Sequence, residues 1–302
     1  MMFKNLNPWS LGISGHQSEI IELALTYGFR GIDVDIVEIA RRARKKGMPY
    51  AKRLIASARM RTGFRVGSFT LPCDLEVSDA VFAAELETLA HYAEVAEEIG
   101  CTRCVVRLAP AGDQRPYHEN VEFHRHRFAE ICKVFQPRGI WLGVGFRASR
   151  PLREGHAFQF VHDLSGLQML VNIAEVPNIG IWLDLWDLHV SGGSVEDIQQ
   201  LRPEQVVAVQ VADLPEEVAL EEVTEAERLL PMATGRVDCA GMLVALSQMG
   251  FGGPVTPAPA KGTLQATRRD PIVRETSAAM DKLWEAAGLS PQTRRSAVAS
   301  GN

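Results

Sequence analysis

The chain has 302 residues, of which 46% are hydrophobic and 23% charged. That balance supports a packed core of ordinary size and argues against a disordered chain. The formal net charge of −5 gives no basic field for a nucleic-acid backbone, and no apolar run approaches the roughly 20 residues that span a bilayer. The first ten residues lack the basic start and apolar stretch of a secretion signal. Cys73, Cys101, Cys104, Cys132 and Cys239 form an odd, sparse set that fits a reducing, cytoplasmic setting.

In chain order, residues 8–13 are the first strand candidate. Ile20, Ile21, Leu23, Ala24 and Tyr27 then fall on one helical face, which Gly28 ends. Strands follow at 31–35 and 65–70, and a second helical face holds Phe82, Leu86, Leu89, Ala93, Ala96 and Ile99 before Gly100. Cys101 and Cys104 have redox or zinc half-site spacing, but nothing completes a zinc site, so buried thiols are the expectation. Residues 103–109 are the fourth strand. The run from Tyr117 to Arg127 is rich in His, Glu and Arg. His124 and His126 are two apart and cannot share a helix face, so this segment reads as a charged surface face.

Strands continue at 140–146, 178–184, 206–212 and 253–257, with Gly250 stopping the helix before the last. Long loops follow the fifth and eighth strands, at 147–160 and 260–270. Eight strands alternating with helices require parallel pairing and suggest closure into an α/β (β/α)8 TIM barrel over residues 1–288. Residues 289–302 are small, polar and basic, as a disordered tail would be. A doubly wound sheet is the alternative, but it normally brings a Gly-rich phosphate turn, and no G-x-G-x-x-G occurs.

Four phrases carry a resemblance. Gly28-Phe29-Arg30-Gly31-Ile32-Asp33 resembles the G-F-x-G-I/V-E/D opening of strand two in xylose-isomerase-like barrels. Asn178-Ile179-Gly180-Ile181-Trp182-Leu183-Asp184-Leu185-Trp186-Asp187 resembles their strand six, N-x-G-L-x-L-D-x-W-H. Val209-Gln210-Val211-Ala212-Asp213 resembles strand seven, and Gly250 to Thr256 resembles the G-Y-D-G-P-V-S/T before strand eight. Order and spacing hold from about Asn7 to Pro259.

The resemblance implies sugar or sugar-phosphate isomerase and epimerase chemistry, proton or hydride movement beside a carbonyl, with a divalent metal. Family members hold that metal with Glu on strand five, Asp on strand six, His or Gln on strand seven and Glu on strand eight. In this chain Gly145 and Ala258 stand in the two Glu slots, and Asp187 replaces the usual His. Asp184 and Gln210 remain as a vestigial metal pair. Losing both Glu residues also removes the usual acid–base pair. No cofactor is therefore expected to bind tightly; Mn²⁺, Mg²⁺, Zn²⁺ or Co²⁺ would bind only if other side chains, such as Asp187, Asp213 or His189, completed the set.

Arg107 on strand four and Arg147, Arg150 and Arg153 after strand five could fork onto a phosphate or carboxylate. His156 and His162 flank the same loop as hydroxyl partners. Arg107, Arg150, Arg153, Trp186, His189 and Asp213 form the candidate substrate-binding set, with Asp213 as a loop cap and His189 as a packing residue the competing readings. The small-molecule partner is a carbohydrate; homo-oligomer formation is compatible with the sequence, whereas nucleic acid and membrane are not expected. Two functions compete: an isomerase or epimerase with an altered site, and a non-catalytic barrel that binds a sugar-like ligand or a protein partner. The endonuclease branch needs three zinc ions and many His and Glu ligands, which the strand ends do not supply.

Overall fold

Phe3–Leu6 (β1) opens the chain in the computed structural model, which describes residues 1–290. This corrects the expected first strand: residues 8–13 instead form turns. Pro8 lacks an amide proton, and Gly12 has φ +67°. The first strand is the shorter segment before them, whose Phe3, Asn5 and Leu6 are buried.

After β1 come α1 (Gln17–Thr26), β2 (Gly31–Ile32), α2 (Ile36–Lys46) and α3 (Met48–Thr62). Two short strands follow, β3 (Arg65–Val66) and β4 (Phe69–Thr70), then α4 (Asp79–Ile99) and β5 (Arg103–Arg107). Next are β6 (Ala111–Gly112), α5 (Tyr117–Phe135), β7 (Trp141–Gly145), β8 (Phe158–Gln159) and α6 (Leu164–Ile173). The chain continues with β9 (Ile179–Asp184), α7 (Leu185–Val190), α8 (Val195–Gln199) and β10 (Val206–Val211). It closes with α9 (Cys239–Gln248), β11 (Pro254–Pro257) and α10 (Arg269–Ala286).

The main sheet runs β3-β2-β1-β11-β10-β9-β7-β5-β4, with every pairing parallel. β3 and β4 are two pieces of one strand, interrupted at Gly67 and Ser68. The first piece pairs with β2 and the second with β5, so the chain itself completes the ring of eight barrel strands. Gly67 is required there: a β-carbon would overlap the Asn5 amide and Asp33 Oδ1. The anticipated helix stops hold, with Gly28, Gly100 and Gly250 all at positive φ.

Barrel strands are covered on both faces, so they read as near-continuous apolar runs. All of β10 is buried. Outside the ring, α5 differs from its expected charged face. His124 and Arg127 are buried, His124 stacked on Phe160 at 5.0 Å and Arg127 over the Phe82 ring at 4.0 Å. Arg127 can be buried because it donates to the Val77 carbonyl and to Asp79. Cys101 and Cys104 are free, buried thiols, and burial pushes Cys101 up to about 12, which keeps it protonated and inert. The expected tail lies outside the described residues, apart from its first two positions.

Candidate functional site at the barrel axis

Side chains alternate along a strand, so one register row fixes what faces the axis. Gln210 is paired in register with Asp184 on one side and Thr256 on the other, and Arg107 with Gly145. These strand ends therefore meet at the C-terminal face, where barrel enzymes build their sites. Asp184 also ends β9 as the N-cap of α7, accepting from the amides of Trp186 and Asp187. That cap turns Asp187 inward beside it.

Two guanidinium groups occupy the space between these acceptors. Arg107 donates to Asp184 and Gln210 through Nη2 and to Asp187 Oδ2 through Nη1 at 3.0 Å. Arg228 donates from Nη1 to Asp184 Oδ2 and from Nη2 to Asp187 Oδ2, both at 2.9 Å. Its Nε donates to Glu225 Oε2 at 2.7 Å. Asp187 Oδ1 accepts the Ala148 amide. Aromatic faces support both cations: Arg107 lies over Trp182 and Arg228 over the fully buried Trp186, at 4.7 and 4.1 Å.

The electrostatics follow from this packing. Burial would raise Asp184, but Arg228 and Arg107 carry it down to about 2. Burial pushes Asp187 up to about 6; Arg228 opposes the shift and the Asp184 charge adds to it. Burial works against the charge of Arg228, yet Asp184, Asp187 and Glu225 together hold it above its ordinary value. The result is a buried ion network paired within the chain, apart from Glu225 Oε1, which is buried without a hydrogen-bond partner.

Gly145 has a positive role here. A β-carbon on it would sit 3.1 Å from the Trp182 carbonyl, 3.3 Å from the indole and 3.4 Å from Arg107 Cγ. The small residue at 145 thus lets the arginine of the neighbouring strand reach the axis. Arg107 and Trp182 already crowd the space beside Gly145.

A divalent metal does not fit this donor set. Asp184 and Asp187 already bind both guanidinium groups, and a cation at their oxygens would face two fixed positive charges. Among the described residues no group of three or more His, Cys, Asp or Glu side chains is arranged to hold a metal ion.

The other candidates separate. Asp213 is buried and accepts four backbone amides, from Leu214, Thr234, Gly235 and Val237, which makes it the organiser of the β10–α9 loop. His189 is half-buried; burial pulls its pKa down, and the Arg236 charge adds to that. Arg150, Arg153, His156 and His162 share a shallow cleft on the loop after β7, where Arg150 pairs with Glu154 and His156 with Asp113. Ala258 is buried, its amide on the Val211 carbonyl. Asp270 accepts the Tyr27 hydroxyl on α10.

Arg228 and Glu225, central to the network, escaped the sequence reading. They lie in a loop with no strand or helix period, and only the fold brings them to the axis. Asp33 was quoted for its motif but not for chemistry. It is buried at the end of β2 and accepts from Asn5 Nδ2, the Ser68 amide, Ser68 Oγ and Asn7 Nδ2. Burial pushes it up to about 6 against those bonds.

The ring of parallel strands and the residues at its C-terminal face define a (β/α)8 barrel of the kind used for small-molecule chemistry. The chain belongs to the xylose isomerase-like TIM barrel family, whose model matches residues 21–283. It is 24% identical over 122 residues to the inosose isomerase of Bacillus subtilis (strain 168), a match covering 40% of this chain and 41% of that protein. A xylose isomerase domain protein from Alicyclobacillus acidocaldarius subsp. acidocaldarius superposes with TM-score 0.84 at 25% identity, over 95% of this chain and 100% of that one. The IolI protein with a bound zinc atom superposes with TM-score 0.73 at 16% identity, over 94% and 98% of the two chains.

Proposed function

We propose that this chain is a metal-independent member of its family. In this reading it binds a small carbohydrate derivative at the C-terminal face of the barrel without the metal-assisted isomerisation of its relatives. The observation that carries the reading is the pair Arg107 and Arg228, whose guanidinium groups take up the oxygens of Asp184, Asp187 and Gln210. Positive charge at the axis is here part of the polypeptide. The carbohydrate class rests on the family relation and on the match to an inosose isomerase. All five cysteines are free, which supports a reducing, cytoplasmic setting.

The test is metal analysis of protein purified without chelator, beside isomerase and epimerase assays on a hexose, pentose and cyclitol panel. The expected outcome is substoichiometric Mn, Zn and Co, and no turnover with or without added metal. A full equivalent of tightly held metal would sink the reading.

One observation favours a second reading. Glu225 Oε1 is buried without a hydrogen-bond partner and lies 3.9 Å from Arg107 Nη1. A guanidinium that polarises a carbonyl beside a carboxylate that takes its α-proton would be a metal-free route to the family's chemistry. Turnover that survives chelator and disappears in Glu225→Gln would establish it.

A further inference from the structure

A cavity of about 240 Å³ opens off the barrel axis, among the turn after β1, the start of α1, the end of β2 and α2. Ile13, Ile20 and Ile39 are among its walls, with the half-exposed Trp9 beside them, and its polar groups include Asp33, Asp35 and the paired Glu38 and Arg42. We propose that this off-axis cavity, and not the barrel axis, is the ligand site, and that it takes one small ring with an apolar face and a hydroxyl that donates to Asp33. The hydroxyl-bearing ring rests on the carbohydrate reading above; the cavity does not.

Three features fix the ligand class. The axis is crowded, because Asp184, Asp187 and Gln210 are already engaged by Arg107 and Arg228. The isoleucine walls offer no hydrogen-bond partner, and Arg42 is already paired with Glu38 and Gln17, so a ring with hydroxyls on every side would leave those facing isoleucine unmet, which is costly. A deoxy sugar or a ring with one bare face avoids that. Finally, Asp33 Oδ1 already accepts three donors, whereas Oδ2 accepts only Asn7 Nδ2. Oδ2 therefore has capacity for one further donor. The volume is below that of most drug-sized sites, which suits one ring and not a disaccharide.

The test is NMR of the whole chain labelled at the isoleucine δ1 methyls and the tryptophan indole N–H groups, titrated with cyclohexanol, L-fucose and D-glucose. Saturable shifts are expected at Ile13, Ile20 and Ile39 with cyclohexanol and L-fucose, and weaker ones with D-glucose. Asp33→Asn should weaken binding by about tenfold, the worth of one hydrogen bond to a charged acceptor. Trp9→Ala should also weaken it, and Ile20→Phe, which fills the space, should abolish it; neither variant touches the Asp33 hydrogen bonds. Cyclohexanol binding here with no carbohydrate binding would defeat the carbohydrate reading while supporting the site. Carbohydrate shifts at the Trp182 indole N–H, which lies at the axis beneath Arg107, with the cavity methyls unmoved, would overturn the cavity and leave the carbohydrate reading standing. Cavity methyls that stay unmoved with all three probes would overturn the proposal.

Discussion

Arg228 shows how much one side chain can carry. It is 5% exposed and contacts three carboxylates. A buried ion pair adds little net stability over an apolar replacement of both partners, but removing one partner strands the other. Arg228→Met should therefore cost about 3–5 kcal/mol at neutral pH, read from urea unfolding. The cost should shrink as the pH falls below about 6, because the stranded carboxyls protonate. Asp33 gives a prediction of opposite sign. Its folded value of about 6 lies above the ordinary 3.8, so the folded state holds the extra proton between them. The Asp33 contribution to stability is complete below about pH 4, falls as the pH rises to about 6, and is then flat. Unfolding curves across that window should show this downward component, and Asp33→Asn should remove it. An unchanged slope in the variant would show that another group titrates there.

The loop between β10 and α9 is the element on which the axis depends. It leaves the barrel at Asp213, pairs Asp213 with Leu229 in a two-way backbone bridge, and returns Arg228 to the centre. The Arg228 carbonyl in turn accepts the Ala260 amide and Thr263 Oγ1, tying in the loop after β11. Asp213→Ala would leave four backbone amides without their acceptor. Each unmet buried group costs about 1–3 kcal/mol, so the loop should open before the barrel unfolds. Limited proteolysis should cut first between residues 214 and 237 in the variant and leave the parent intact. Cleavage at the same rate in both would show that Asp213 is dispensable to the loop.

For the whole molecule, the two guanidinium groups at the axis make the design of a metal site demanding. Gly145→Glu alone should destabilise by about 1–3 kcal/mol, because its β-carbon presses on Trp182 and its side chain competes with Arg107. It should gain no metal affinity while both arginines remain. Combining Gly145→Glu and Ala258→Glu with Arg107→Ala and Arg228→Ala should produce metal-dependent thermal stabilisation, which a melting series in Mn²⁺ would register. Metal-dependent stabilisation in Gly145→Glu alone would contradict the view that the guanidinium groups hold the cation's place. Among the described residues no helix is long and apolar enough to cross a membrane.

The sequence by itself determined the barrel. Alternating apolar strands, positive-φ glycines at helix ends and four phrases in order all follow local rules of period and turn, which survive without knowledge of neighbours. It also located Asp184, Gln210, Gly145 and Ala258 at strand ends, since side-chain parity is a local property. The first strand was misplaced because a short run before Pro8 carries too few residues to show a period. Only the tertiary structure decided what the axis contains. Arg107 read as an anion-binding fork, and a glycine in a glutamate slot read as a loss. Their meaning appears only when adjacent strands bring Arg107 across Gly145 and a patternless loop delivers Arg228 from 44 residues beyond Asp184. Charge compensation in a buried site depends on distances in space, and no spacing along the chain encodes them.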